Sequence, residues 1–378
     1  MYEEVTKPPT FLEAFGRMDD SAILTQAALL LTLGLQLRGI SRNNNGLEEI
    51  LPKDELSALG VPSLPRTEGR IDSRRVRMFL SSKYGISVAP KPEAEADLMW
   101  QRDIFRDLAS AHLREPTSAT AANLMEACLR HPHQLVRVSA AAAYHERSSE
   151  SDKLTAILEE GTHSFDLLIR EVAATALAHV NPDHARLNDL HRPYGRAAGA
   201  GGSHTAMLVH GTWAVDATWW QPGGDFHSYL IQTLRPDLYN NPDRFAWSGG
   251  YSDDARFLGA GDLVKWVNIH NEQGLDLFAH SHGGSIAMLA SNSGLRIGKL
   301  ILLSCPVHFQ KYHPGVGQVG KSVSIRVRLD LVILADRGGQ KFKSPHIQEH
   351  ILPIWFDHTA THNPKVWKNN TYGIPAIL

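Results

Sequence analysis

The stretch "LDLFAHSHGGSIAMLA", residues 275–290, changes its hydrophobic pattern halfway along. Its first residues show the apolar alternation of a buried β-strand, and the residues after Gly284 show the apolar spacing of a helix. Ser281 stands at the change, just before a pair of glycines. Because parallel sheets are built from strands that pass into helices, this stretch predicts an α/β domain with Ser281 at the end of a strand.

The alternation of strand and helix extends over residues 205–378. Short apolar segments predict strands at residues 205–209, 244–249, 275–280, 299–305 and 323–329. Helical spacing predicts helices at residues 226–239, 252–271 and 282–293. The predicted fold class of this region is therefore α/β, with a parallel sheet and helices on both faces. The catalytic groups of such sheets collect beyond the carboxyl ends of the strands, where Ser281 is expected to lie.

Two motifs accompany this pattern. Residues 279–283, "AHSHG", match the nucleophile-elbow pattern G-x-S-x-G, with alanine in place of the first glycine. Small residues are needed there because the strained serine backbone packs tightly against the next strand. The second motif, His210-Gly211, ends the first predicted strand. In these features residues 205–378 resemble the α/β-hydrolase superfamily of lipase and esterase type, in its smaller form without a large lid.

The resemblance implies a serine hydrolase that cleaves carboxylic esters through an acyl-enzyme and needs no cofactor. The superfamily's chain order is serine, acid, histidine, which implies that the catalytic residues are Ser281, Asp330 and His358. By the same resemblance, the backbone N–H groups of Thr212 and His282 would form the oxyanion hole. The amides carry this role, so the side chains at the two positions are free to vary.

Alternatives to the acid and the base stay open. Asp336 competes with Asp330, which is favoured because the apolar alternation of the last predicted strand ends directly at it. His362 is the reserve for His358, which follows an apolar "IWF" segment, although Asp357 stands where the superfamily usually has glycine. The spacing of the two histidines would also suit a metal ion. No third ligand is spaced with them, so no metal site is predicted.

Three tryptophans crowd the loop after the His210-Gly211 motif, namely Trp213, Trp219 and Trp220. They would form an apolar wall that binds the acyl chain or an aromatic group of the substrate. The other interpretation is that they cover the edge of the sheet. The sequence favours neither.

Residues 1–191 are predicted to form an all-helical domain with an internal repeat, clearest over residues 131–180. "LVRVSAAAAY" begins at Leu135 and "LIREVAATAL" begins 33 residues later, with the leucine, the arginine and three alanines at equal offsets. Small alanines let neighbouring helices approach closely, and the pattern resembles HEAT repeats, which implies a possible surface for a protein partner. The Gly- and Ala-rich residues 192–204 predict a flexible linker to the α/β domain.

Composition narrows the class of protein. The 378 residues, 43% of them hydrophobic and with a net charge of −2, suit a two-domain soluble protein without a nucleic-acid footprint. Two cysteines far apart in sequence, Cys128 and Cys305, favour a reducing, cytoplasmic location over a disulfide framework. The acidic N-terminus lacks the basic start of a signal peptide. The apolar residues 22–37 predict a core helix, with a membrane-surface helix as the alternative.

Other functions stay open at this point. The same triad would serve a phospholipase or an amidase. Residues 22–37 give the phospholipid substrate slight support, although membrane contact is the less expected alternative for this segment. A non-catalytic scaffold is a rival from a different class, with the helical repeats binding a protein and the hydrolase fold silent. A further hypothesis is that the helical half covers the cleft as a lid or substrate selector.

Overall fold

The first half of the chain is helical, and the second half is built around a sheet. The structure is a computed structural model and describes residues 2–39, 50–64, 72–85, 95–145, 151–191, 205–272, 274–308 and 310–378. The chain divides into two compact units. The helical unit comprises Met1–Asn181 and Leu334–Gln340, and the sheet unit comprises Pro182–Ile333 and Lys341–Leu378. The predicted linker, residues 192–204, lies outside the described residues.

The helical unit is a succession of helices. Their bounds are α1 (Phe11–Phe15), α2 (Asp20–Gly39), α3 (Lys53–Leu59), α4 (Ser73–Tyr84), α5 (Glu95–Arg114), α6 (Ser118–Cys128), α7 (Gln134–Tyr144), α8 (Ser151–Thr162) and α9 (Leu167–Val180). The two copies of the repeat are α7 and α9, and α8 lies between them along the chain. Each copy begins with a capping side chain: His133 accepts the N–H of Leu135, and Asp166 accepts the N–H of Leu168.

Small residues let these helices pack closely. A Cβ on Gly161 of α8 would lie 2.7 Å from both Val138 of α7 and Ala173 of α9. A Cβ on Gly34 of α2 would lie 2.6 Å from the Cα of Ala143 in α7. Glycines of α2 and α8 therefore lie against alanines of the two repeat copies, Ala143 and Ala173.

Helix α2 is apolar along most of its length. The segment Asp20–Arg38 is long and apolar enough to cross a membrane, and 89% of its most apolar window is buried inside the structure. The buried core helix of a soluble protein meets the same criterion of length and composition. The burial favours the predicted core helix over a helix that lies on a membrane surface.

The sheet unit has five parallel strands that lie side by side in chain order. They are β1 (Ala206–Val209), β2 (Asp276–His280), β3 (Ile297–Leu303), β4 (Val319–Arg328) and β5 (Gln348–Trp355). The helices of this unit and of the segment after β4 are α10 (Ala185–Leu190), α11 (Asp225–Thr233), α12 (Asp253–His270), α13 (His282–Asn292), α14 (Leu331–Ala335), α15 (Pro364–Lys368) and α16 (Ile374–Ile377). The predicted mixed α/β class with a parallel sheet is confirmed.

Both faces of the sheet are covered by helices. On one face, Val209 and Ala279 pack in a cluster with side chains of α12 and α13. On the other face, Leu208 and Phe278 pack with side chains of α11 and α15. Because successive residues of a strand point to opposite faces, a continuous apolar strand such as β1 is buried on both sides.

Two predicted elements differ from the structure. Residues 244–249 do not form a strand, so that prediction was wrong. Trp247 directs its backbone N–H to His210 Nε2 at 3.4 Å and its indole N–H to the His210 carbonyl at 2.8 Å, and the segment is buried without joining the sheet. Helix α11 ends at Thr233 and not at 239, because Pro236 disfavours helical backbone in the residue before it.

Candidate active site

Ser281 forms the bend between β2 and α13. Its backbone has φ 51° and ψ −132°, a conformation that residues with a side chain rarely adopt. Gly283, two residues on, has no room for a side chain, since a Cβ there would lie 2.6 Å from the carbonyl oxygen of His210. A Cβ on Gly284 would lie 2.5 Å from the Sγ of Cys305. The serine therefore stands on a strained turn that the glycines hold close to the sheet.

Asp330 and His358 meet beyond the carboxyl ends of β4 and β5. His358 Nδ1 lies 2.8 Å from Asp330 Oδ2, and both side chains are buried. Asp330 Oδ1 accepts the N–H groups of Val332 and Ile333, at 3.0 and 3.2 Å. Because an ionised carboxylate only accepts hydrogen bonds, Nδ1 of His358 carries the proton and Nε2 is the nitrogen that can act as a base.

Two hydrogen-bond contacts hold the His358 loop beside the turn of Ser281. Thr361 Oγ1 donates to Ser304 Oγ at 3.2 Å, just beyond the end of β3. His280, the residue before Ser281, has its Nε2 3.4 Å from the backbone oxygen of His358. The centroids of the His280 and His358 rings are 4.6 Å apart. The loop after β5 thus reaches past the ends of β4 and β3 to the end of β2.

The alternative base His362 and the alternative acid Asp336 contact other residues than Asp330 and His358 do. The ring of His362 stacks on Trp219 with 4.2 Å between centroids, and burial, with repulsion by His358, lowers its pKa to about 3. Asp336 belongs to the helical unit, where its backbone oxygen accepts a hydrogen bond from His179 Nε2 at 3.1 Å. Of the four candidates, Asp330 and His358 are the pair that the structure brings together.

The imidazoles around His358 favour the neutral form. Burial, and then repulsion by His362 and His358, holds the pKa of His280 well below its usual value. The pKa of His362 is lowered for the same reasons. Of these three rings, His358 is the one bonded to a carboxylate.

The His210-Gly211 loop packs directly against Ser281. A Cβ on Gly211 would lie 2.7 Å from the Cβ of Ser281. His210 Nδ1 lies 2.8 Å from the carbonyl oxygen of Gly211, and burial lowers the pKa of the ring to about 4. The neutral ring therefore donates from Nδ1 and accepts the N–H of Trp247 at Nε2. The Gly211 carbonyl and the Thr212 N–H belong to the same peptide bond, and in a trans peptide they point in opposite directions. By holding the carbonyl, His210 therefore also fixes the direction of the Thr212 N–H.

The second predicted oxyanion donor belongs to helix α13. His282 is the first residue of that helix, directly after Ser281. The first N–H groups of a helix have no partner within it, and the helix dipole places partial positive charge there. His282 thus directly follows Ser281, and Thr212 directly follows the glycine that packs against Ser281.

The three tryptophans have different environments. Trp213 is partly exposed and stacks on Tyr251, with 6.1 Å between ring centroids and 9° between the ring planes. Trp219 is buried, and Trp220 is 1% exposed with its indole N–H bonded to the carbonyl of Ala214. Trp220 therefore belongs to the core. The partly exposed aromatic wall consists of Trp213 and Tyr251, and the sequence analysis did not single out the tyrosine.

Asp357, the residue directly before His358, caps the turn that carries His358. Its carboxylate accepts the N–H and the hydroxyl of Thr359, at 2.9 and 2.7 Å, at the start of the 3₁₀ turn His358–His362. Burial raises the pKa of this carboxyl. The aspartate side chain therefore caps the turn that carries His358.

Arg256 is a further residue near Ser281 that the sequence patterns did not predict. This arginine is buried on the inner face of α12, and its guanidinium bonds the ring of His282. It precedes Gly259, Ala260 and Leu263 at helical spacing, and these three are buried as well. A charged residue within a buried stripe is the signal that was present in the sequence.

Comparison of the chain with protein-family models, with curated proteins and with solved structures gives no match in any of the three. The resemblance to the α/β-hydrolase superfamily therefore rests on the motifs in the sequence and on the geometry described above.

Proposed function

We propose that the chain is a serine hydrolase of α/β-hydrolase type that cleaves carboxylic esters. The observation that carries the proposal is the 2.8 Å contact of His358 with the buried Asp330, in a loop tied to the strained turn of Ser281. A serine, an imidazole and a carboxylate in this chain order and at these strand ends are the parts of a catalytic triad.

The proposed reaction has two steps. His358 Nε2 takes the proton of the Ser281 hydroxyl while Oγ attacks the ester carbonyl, and Asp330 stabilises the imidazolium. The N–H groups of Thr212 and His282 donate to the oxygen that becomes negative. The alcohol leaves with the proton from His358. Water, deprotonated by the same nitrogen, then attacks the acyl-enzyme and releases the acid and the free serine.

The neutral rings beside His358 support this assignment of the base. His280 and His362 have lowered pKa values and add no positive charge near His358. A neighbouring cation would oppose the protonation that His358 undergoes in each step. The pair of Trp213 and Tyr251 is the wall that we assign to the apolar part of the substrate.

We extend the proposal to the rest of the chain. The helical unit is a HEAT-like domain whose repeats offer a surface to a protein partner. The location is cytoplasmic, which Cys128 and Cys305 support, because both are buried and neither is in a disulfide. No cofactor enters the reaction.

A fluorophosphonate probe, which reacts only with an activated serine, tests the central assignment. We expect the wild-type protein to be labelled on the peptide that contains Ser281, and Ser281→Ala to remain unlabelled. Ser293→Ala is the matched control, because Ser293 is an exposed serine at the far end of the same helix. It should label like the wild type.

The same experiment separates the rival functions. Labelling that persists in Ser281→Ala would contradict the proposed nucleophile. A folded wild-type protein that takes no label would favour the scaffold. If the label is present, rates on matched ester, amide and phospholipid substrates distinguish an esterase from an amidase or a phospholipase, and we expect the ester to react fastest.

A further inference from the structure

A buried arginine lies beside the residue that follows the nucleophile. Arg256, near the start of α12, is 5% exposed. Its Nη2 lies 2.9 Å from Nε2 of His282, and its Nη1 donates to Asp253 at 3.0 Å and to the Tyr312 hydroxyl at 3.3 Å. The guanidinium also lies 4.9 Å from the ring centre of Tyr251. Burial of a guanidinium removes favourable hydration, so its place next to His282 needs a physical reason.

The contact selects one tautomer of His282. A guanidinium has only donors, so Nε2 of His282 accepts the hydrogen bond and carries no proton. Nδ1 is then the protonated nitrogen, and it lies 3.1 Å from the hydroxyl oxygen of Ser285 in the same helix. The imidazole is therefore neutral and is held at both nitrogens. One bond ties it to α12 and the other to α13.

We propose that Arg256 is a positioning residue of the oxyanion hole, which it serves by holding the imidazole of His282. The inference rests on the proposed function, because the backbone N–H of His282 is one of the two proposed oxyanion donors. Oxyanion donors stabilise the transition state only when they lie at hydrogen-bonding distance from the developing charge. A small displacement of His282 therefore lowers kcat and leaves substrate binding nearly unchanged.

A purely structural ion pair would behave differently. Asp253 binds the Lys311 amine at 2.5 Å and the Tyr312 hydroxyl at 2.5 Å, so Arg256 also helps to tie α12 to the segment after β3. If Arg256 only connected these two segments, its loss would lower the stability of the fold and leave kcat of the folded enzyme unchanged. The readout that distinguishes the two roles is the split between kcat and KM in folded protein.

Arg256→Met tests the proposal, because methionine keeps much of the apolar stem and removes every donor. We expect kcat for an ester to fall about 10- to 100-fold while KM changes less than about 3-fold. In a His282→Phe background, where the ring offers no acceptor, the same substitution should change kcat less than about 2-fold. An equal loss in both backgrounds, or no loss in either, overturns the proposal.

Arg235→Met is the matched control. Arg235 is a partly buried arginine that pairs with Asp237 and Asp276, and Asp276 begins β2 at the end of the strand opposite Ser281. We expect this variant to be less stable than the wild type with unchanged kcat. A fall in kcat as large as that of Arg256→Met would overturn the specific role of Arg256.

A measurement on the wild-type protein does not depend on whether the variants fold. The ¹⁵N chemical shifts of His282 should show protonated Nδ1 and unprotonated Nε2 at pH 7. The opposite tautomer overturns the proposal. Fluorophosphonate labelling distinguishes failure of the proposed function from failure of the role of Arg256. An unlabelled wild type would contradict both. A labelled wild type in which His282 carries its proton on Nε2 would contradict only the role of Arg256.

Discussion

Backbone strain gathers at the carboxyl edge of the sheet. Five of the seven non-glycine residues with positive φ among the described residues follow the end of a strand, one for each strand: Trp213, Ser281, Ser304, Leu329 and Phe356. Such conformations cost on the order of 1–3 kcal/mol each and persist only where the surrounding structure imposes them. The strain therefore coincides with the edge at which Ser281, Asp330 and His358 lie, and it orients the residues that follow each strand.

The choice between the two candidate acids gives a prediction at the residue scale. Asp330→Asn should lower kcat about 10³- to 10⁴-fold with little change in KM, because an amide no longer holds His358 with its proton on Nδ1. Asp336→Asn is the matched comparison and should retain activity. Steady-state kinetics of the two folded variants decide between them. Loss of activity in Asp336→Asn with activity kept in Asp330→Asn would reverse the assignment.

At the scale of elements, glycines inside helices have two different roles. Gly34 of α2 lies against the backbone of α7, where a Cβ would meet the Cα of Ala143 at 2.6 Å. Around Gly261, in the interior of α12, a Cβ would meet nothing within 4 Å. The first glycine is required by the approach of two helices. The second only weakens its helix, because glycine loses more backbone entropy on folding than alanine does.

The same substitution should therefore change stability in opposite directions at these two positions. Gly34→Ala should destabilise the protein by about 1–3 kcal/mol, since α2 and α7 must move apart. Gly261→Ala should stabilise it by about 0.5–1 kcal/mol through helix propensity. Urea denaturation followed by circular dichroism measures both. Equal shifts of the same sign would contradict the close packing of α2 on α7.

At the scale of the whole molecule, buried neutral histidines occur in both units. Burial lowers the pKa of His112 to about 4 and of His131 to about 3 in the helical unit. It lowers the pKa of His210 to about 4 and of His362 to about 3 in the sheet unit. In the unfolded chain these rings titrate near about 6.5. Between these values the unfolded state binds more protons than the folded state does.

The free energy of unfolding should therefore be highest above about pH 6.5 and should fall as the pH drops toward 4. Each such histidine contributes a loss of up to about 1.4 kcal/mol per pH unit in this window. Urea midpoints at pH 7.5, 6.0 and 5.0 measure the loss. His131→Asn retains an acceptor for the His133 N–H and no longer titrates, so it should show a shallower slope. A midpoint that stays constant down to pH 5 would contradict the prediction.

Much of the architecture could be read from local patterns. The run from residue 275 to 290 predicts β2, Ser281 and α13, because a strand and a helix have different apolar periods. The repeat at Leu135 and Leu168 predicts two similar helices, and they form as α7 and α9. The strand predicted at 244–249 failed, because an apolar segment can be buried through side-chain contacts and a hydrogen bond to His210 without pairing in a sheet.

The sequence by itself determined the α/β class, the helical first half, and a serine at a strand end between small residues, since each depends on neighbours a few positions apart. Only the tertiary structure decided that His358 meets Asp330 and not Asp336, and that Arg256 reaches His282. It also showed that Trp220 lies in the core while Trp213 is partly exposed. These pairings join residues that are distant in the chain. Strand order, register and packing bring these residues together. The local periodicity of the sequence does not determine strand order, register or packing.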